Sequence, residues 1–190
     1  MPRELVTNEG DLIDIVDNDH RTLERAFEEY EGGSGDSRNR RDLVEYITAE
    51  MIRHMVAEEE YLYPAVREKL DELRSTTERE LSEHARFERE LKALEGITSE
   101  QEEFDRRTRA LFRGFREHMR GEERELLPRL YSACSARQLL ALGSKITMVR
   151  SVAPTRPHPA APSHPPANML LDPGMGLVDR VRDALFGRQR

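Results

Sequence analysis

Apolar residues recur at helical spacing in four long segments of the chain, and the breaks between them are short. The first segment runs from about residue 9 to 31, with Leu12, Ile13, Val16, His20, Leu23 and Phe27 on one face. It ends at the run Gly32-Gly33-Ser34-Gly35. The second covers about 38 to 70, with Leu43, Ile47, Met51, His54, Glu58, Tyr61 or Leu62, and Ala65 in its stripe. Ser75-Thr-Thr-Glu78 reads as a capping box for the third, whose stripe is Leu81, His84, Phe87, Leu91 and Leu94, closed by Gly96. Thr98-Ser-Glu-Gln101 reads as the cap of the fourth, with Phe104, Thr108, Leu111, Phe115, His118, Glu122 and Leu126 on its inner face. A shorter fifth helix is predicted from Ala136 to Val149. Loops this short force neighbouring helices to run antiparallel. The expected fold is therefore all-α: an up-down-up-down four-helix bundle over residues 1–150.

The inner faces are not purely apolar, and their polar members repeat. His20 returns as His84, an offset of 84 − 20 = 64 residues. His54 returns as His118, Glu58 as Glu122 and Pro64 as Pro128, each at that same offset. A lone core histidine in a bundle is usually a packing residue with a hydrogen bond. Four histidines and two glutamates at one fixed spacing, spread over all four inner faces, are not independent accidents. Pro64 and Pro128 fall inside the second and fourth helices, where each removes a backbone donor and favours a bend.

His54 and Glu58 stand at i and i+4, as do His118 and Glu122, so each pair leaves its helix from one face. Two ionised carboxylates in a bundle interior would cost on the order of several kcal/mol each without compensation. Bound cations remove that cost and accept neutral imidazoles as donors. The predicted metal ligands are His20, His54, Glu58, His84, His118 and Glu122. Imidazole and carboxylate without thiolate suit iron, manganese or zinc. Divided between two ions, the set gives two histidines to each, with Glu58 and Glu122 free to bridge. An oxo or hydroxo group as a third bridge leaves an open position for a small ligand, unlike a closed structural zinc site. Tyr61 and Glu125, seven residues after His54 and His118, are further candidates to complete a coordination sphere or to bond a ligand. Glu59 and Glu123 are expected in an outer shell or in solvent.

Composition narrows the function. The formal charge is −7, and residues 151–190 carry five arginines against three aspartates, so the first 150 residues hold about −9. That argues against a nucleic-acid surface. No apolar run is long enough for a membrane span and the N-terminus lacks a signal-peptide layout, so a cytoplasmic protein with no membrane partner is expected. Cys134, the single cysteine, allows no disulfide within the chain. Ser151 to Pro173 is proline-rich and almost uncharged, which predicts an extended segment. It leads to a short amphipathic stretch from Leu177 to Phe186, read as a helix that docks on the bundle itself or on a protein partner.

The motifs His20, His54-x-x-x-Glu58-Glu59 with Pro64, His84, and His118-x-x-x-Glu122-Glu123 with Pro128 resemble the hemerythrin, or HHE cation-binding, domain. The resemblance covers residues 9 to about 132, and the proline-rich tail is similar to extensions on actinobacterial members. It implies a non-heme di-iron centre, two iron ions with an oxo or hydroxo bridge, on the six residues named above. It also implies binding of, or reaction with, a small diatomic or peroxide ligand: hydrogen peroxide, dioxygen or nitric oxide. A catalase-like reaction in defence against oxidative stress is the enzymatic form of that expectation. A non-enzymatic iron or oxygen sensor, with the tail as its output, is the alternative. Oxygen-carrying members have a fifth histidine one turn after the third-helix histidine. Here that turn carries Glu88, mirrored by Glu24, so both are candidates near the ions and reversible oxygen carriage is not expected.

Overall fold

The computed structural model describes residues 10–33 and 37–159. Its helices are α1 (Leu12–Gly32), α2 (Ser37–Ala57), α3 (Tyr63–Lys69), α4 (Arg74–Glu95), α5 (Glu102–Ala133) and α6 (Ala136–Val152). A π-helical turn, Glu58–Leu62, joins α2 to α3, so these two make one rod. The four rods close a ring in which α1 touches α2 and α5, while α4 touches α5 and the α2–α3 rod. This is the expected all-helical bundle with a shorter fifth helix. The tail helix expected at 177–186 lies outside the described residues.

Helix starts differ from the expected caps. α1 opens on a capping box: Asp11 Oδ1 accepts from the Ile13 and Asp14 amides at 2.8 and 3.1 Å, and Asp14 Oδ2 accepts from Asp11 N–H at 3.2 Å. Ser135 and Gln138 form another at the start of α6. The Ser75–Glu78 box is not used. A 3-10 turn, Asp71–Leu73, runs directly into α4 and its carbonyls take the first helical amides, as Arg74 N–H does with Asp71. Gln101 precedes α5 without any side-chain cap, and a turn from the Thr98 carbonyl to Gln101 N–H, 3.1 Å, leads into it.

The core is in two parts with the histidine layer between them. On one side Leu23, Phe27, Ile47, Met51, Phe87, Leu91, Phe112 and Phe115 pack together, with Phe27 and Phe112 stacked at 4.2 Å. On the other lie Leu12, Val16, Leu62, Val66, Leu81, Leu126, Leu130 and Ile146. Each rod thus contributes apolar residues above and below its ligands, so each end of the site is sealed by packed hydrocarbon. Arg116 ties α5 to α1 through Glu24 and Glu31, at 2.8–3.0 Å.

α6 lies along α1 and α2. Its approach depends on Gly143, where a Cβ would stand 2.4 Å from the Gly10 carbonyl oxygen and 2.9 Å from the Asp11 carbonyl carbon. Both are backbone atoms at the start of α1, which cannot swing aside. Gly143→Ala should therefore force α6 off the bundle or strain the α1 cap, costing about 1–3 kcal/mol, the usual range for overpacking. Urea denaturation checks this, and an unchanged midpoint would mean α6 is not docked there.

Candidate metal centre

All six predicted ligands are buried, none more than 3% exposed, and they converge in one layer. Four of them, His20, His54, Glu58 and Glu122, place ligand atoms within 4.8 Å of one another, and Glu58, His84 and His118 form a second such group. Glu58 belongs to both groups and so joins them. Its oxygens lie 3.2 Å from His54 Nε2, 3.4 Å from His84 Nε2, 3.9 Å from His20 Nε2 and 4.0 Å from His118 Nε2. Glu122 Oε2 stands 3.4 Å from His20 Nε2 and 3.7 Å from His118 Nε2. All four Nε2 atoms therefore face the centre. His20 Nε2, His54 Nε2, Glu58 Oε1 and Glu122 Oε2 have no hydrogen-bond partner.

Three of the four outward nitrogens are held by carboxylates. His20 Nδ1 meets Glu123, His84 Nδ1 meets Glu59 and His118 Nδ1 meets Glu80, each at 2.9 Å. Asp19 lies 3.7 Å from His54 Nδ1, and Glu83 lies 3.4 Å from His118 Nδ1. Glu59 and Glu123 are one repeat apart, as are Asp19 and Glu83. The duplication thus reaches the partners that fix the tautomer: a proton held on Nδ1 leaves Nε2 as a lone-pair donor toward the centre. Asp19 is itself gripped by Arg150 of α6, which also reaches Glu50 at 3.4 Å. The fifth helix therefore bears on the metal layer through one aspartate.

Tyr63 was not among the residues expected here. Its hydroxyl donates to Glu122 Oε1 at 2.8 Å and lies 2.9 Å from His84 Nε2 and 3.5 Å from Glu58 Oε2. The π turn explains the placement. Tyr63 N–H bonds the Glu58 carbonyl five residues back, so Tyr63 stacks over Glu58 as an i+4 residue would in an α-helix. Tyr61, expected on this face, is rotated away and lies under Lys145, 5.9 Å from its ring. Pro128, at the matching place in α5, sits in an unbroken α-helix, so proline alone does not produce the turn. Leu127, one repeat after Tyr63, is apolar. The other candidates face elsewhere: Glu125 is half exposed near Arg79, Glu24 pairs with Arg116, and Glu88 accepts from His158 N–H at 2.6 Å.

The carboxylates around the rings oppose the effect of burial on them. Burial alone would lower the His84 ring, but its hydrogen bonds to the Glu58 and Glu59 carboxylates outweigh that and push it up to about 9. His20 and His118 are likewise raised against the pull of burial by their carboxylate neighbours. Burial would raise Glu58, but the His54 charge and hydrogen bonds from the other three rings hold it well below the usual range. Burial, with Glu122 and Glu58 nearby, keeps the Tyr63 hydroxyl protonated.

The family model described as Hemerythrin HHE cation binding domain matches residues 11–130. The chain belongs to this family. Across 175 residues it is 24% identical to an uncharacterized hemerythrin-like protein of Schizosaccharomyces pombe, covering 92% of this chain and 86% of that protein. No solved structure matches it. The matched hemerythrin region takes in every buried ligand residue together with Tyr63, and it ends at Leu130, before α6 begins. No described helix is long and apolar enough to cross a membrane.

The raised imidazoles set a pH signature for the metal-free hemerythrin domain. His84 titrates near 6.5 when unfolded and about 9 when folded, so its contribution is complete below 6.5 and disappears as pH rises through 9. Metal-free protein should lose stability steadily between those values. Glu58, being depressed, acts in the opposite sense: its contribution is present above 4.5 and is lost as pH falls. Melting temperatures of chelator-treated protein across this range check both signs, and a flat profile above pH 6.5 would contradict the protonated site.

Proposed function

We propose that this protein holds two non-heme iron ions between Glu58, Glu122 and the four imidazole Nε2 atoms, and uses them to bind or transform a small oxidant. The observation that carries this reading is the set of buried, inward-facing, unpartnered atoms: His20 Nε2, His54 Nε2, Glu58 Oε1 and Glu122 Oε2. Leaving such groups unsatisfied costs about 1–3 kcal/mol each, and cations among them would satisfy all four together. The donors also fit: imidazole and carboxylate oxygen suit iron, and two carboxylates against two ions leave room for a small ligand. Glu58, present in both groups of donors, would help to hold both ions, and Glu122 would serve the group it shares with His20 and His54.

Bound iron would supply Lewis acidity and a change of oxidation state at this place. Everything else falls to the chain. Glu123, Glu59 and Glu80 at Nδ1 keep the His20, His84 and His118 rings oriented with Nε2 toward the centre. Phe115, 5.4 Å from the His118 ring and 5.7 Å from that of His54, excludes water from one side together with Phe87 and Met51. Leu62 and Leu126 cover the other. The Tyr63 hydroxyl holds Glu122 in place and can give a proton to a ligand at the centre, or take one back through that carboxylate. The ligand class is hydrogen peroxide, dioxygen or nitric oxide. Catalase-like turnover, two peroxides to two waters and one dioxygen, is the enzymatic form.

Freshly purified protein should carry two iron ions per chain, and His54→Ala should reduce that number while the far-ultraviolet circular dichroism stays helical. Iron-loaded wild type should evolve oxygen from peroxide and His54→Ala should not. One ion per chain, or none, would overturn the dinuclear reading. Tyr63→Phe should keep both ions yet slow peroxide turnover about 10²-fold, the scale of a lost proton donor. Unchanged turnover in that variant would leave Tyr63 a packing residue.

A further inference from the structure

The 64-residue repeat builds the same window into the metal layer twice. In one, between α1 and α5, His20 Nδ1 meets Glu123, with Glu24 one turn along. In the other, between α4 and the α2–α3 rod, His84 Nδ1 meets Glu59, with Glu88 one turn along. Sequence symmetry makes the windows equivalent, but the fold does not. The α1/α5 window opens into a cavity of about 510 Å³ lined by Asp17, His20, Arg21, Glu24, Arg116 and Glu123, among others. There the Glu123 side chain is 44% exposed, whereas Glu59 at the other window is 11% exposed.

The difference comes from the chain that follows α6. Arg150 anchors the end of α6 on Asp19 of α1 and Glu50 of α2. From there the backbone crosses the α2 rod to α4, where His158 N–H donates to Glu88. Along this strap Ala153 is fully buried, Thr155 is 5% exposed, and Pro154 and Pro157 are buried. Proline suits the task, since it brings no amide that the covered surface would have to satisfy. Burial, ahead of the nearby Glu59 charge, raises Glu88 above the usual carboxylate range, which agrees with a covered position.

We propose that the α1/α5 cleft is the entrance by which small polar solutes reach the centre, and that residues 153–159 are a stopper over its duplicate between α2 and α4. The cleft wall is charged on both sides, with Arg21, Arg116 and Arg120 facing Asp17, Glu24 and Glu123. It favours hydrated, hydrogen-bonding species such as hydrogen peroxide or aqueous ferrous ion over apolar gases. At its inner end the His20–Glu123 hydrogen bond is the last contact before the ligand cluster, so Glu123 must swing outward for a solute to pass. The proposal deepens the reading of the site as an iron centre, and part of its test is independent of iron.

The first measurement is made on metal-free, full-length protein. Diethyl pyrocarbonate acylates unprotonated imidazoles, so each ring's rate is compared at its high-pH plateau, and peptide mass spectrometry reads each ring separately. His20 should be modified at least about ten-fold faster than His84. Pro154→Asp/Pro157→Asp, which sets two carboxylates under the strap and ejects it, should raise the His84 rate toward that of His20 and leave His20 unchanged. Arg120→Trp, an exposed cleft residue, should fill the entrance and slow His20 only. Equal rates in the wild type, or a His84 rate indifferent to the strap, would overturn the proposal. The second measurement follows uptake of ferrous ion by the metal-free chain: slower in Arg120→Trp, faster in the strap variant. If iron fails to bind at all, the iron reading falls while the acylation rates still decide the entrance.

Discussion

Two carboxylates that cannot reach water are the constraint around which this molecule is arranged. Glu58 and Glu122 are fully buried, and nothing hydrophobic explains them. Four imidazoles surround them, and five further carboxylates stand behind those imidazoles. The negative charge on this assembly demands a positive centre, either protons shared among the rings or cations among the Nε2 atoms. The apolar halves above and below raise the stakes, because a dry sleeve strengthens every electrostatic term within it. Packing and chemistry are therefore one problem here. Hydrocarbon that stabilises the bundle also makes an empty, unprotonated site untenable.

The outer carboxylates repay attention because they come from different rods than the rings they hold. Glu123 of α5 supports His20 of α1, Glu59 of the π turn supports His84 of α4, and Glu80 of α4 supports His118 of α5. Each contact staples two rods at the level of the site. Through Arg150 and Asp19 the staple extends to α6, outside the four-helix ring. Helix packing and ligand orientation are then coupled, and a displacement of α6 would be felt at His54 without any change in the ligands themselves.

Much of this was legible in the sequence because the duplicated half writes each ligand twice. The i, i+4 spacing of His54 and Glu58 determines a shared face, and repetition at His118 and Glu122 removes the ambiguity of a single instance. Gly96 does stand at the end of its helix, as its place after the last apolar position suggested. What could not be read was anything that depends on a change of helical pitch. Tyr61 has the right phase for an uninterrupted α-helix; only the wider turn at Glu58–Leu62 sends Tyr63 inward instead, and Pro128 shows that the neighbouring proline is no guide. The cap at Ser75 gave way to a 3-10 turn whose Asp71 carbonyl already takes the first amide of α4, and α5 begins at Glu102, beyond Thr98. The clash between a Cβ at residue 143 and the start of α1 is long-range, and no local pattern announces it.

The π turn has one more effect. By adding a phenol to one half of a repeated cage, with no matching residue at Leu127 in the other, it abolishes the equivalence that the 64-residue repeat would otherwise impose. A cage built from two like halves thereby acquires a hand: its hydroxyl stands at Glu122 and His84, and that side differs chemically from the one facing it.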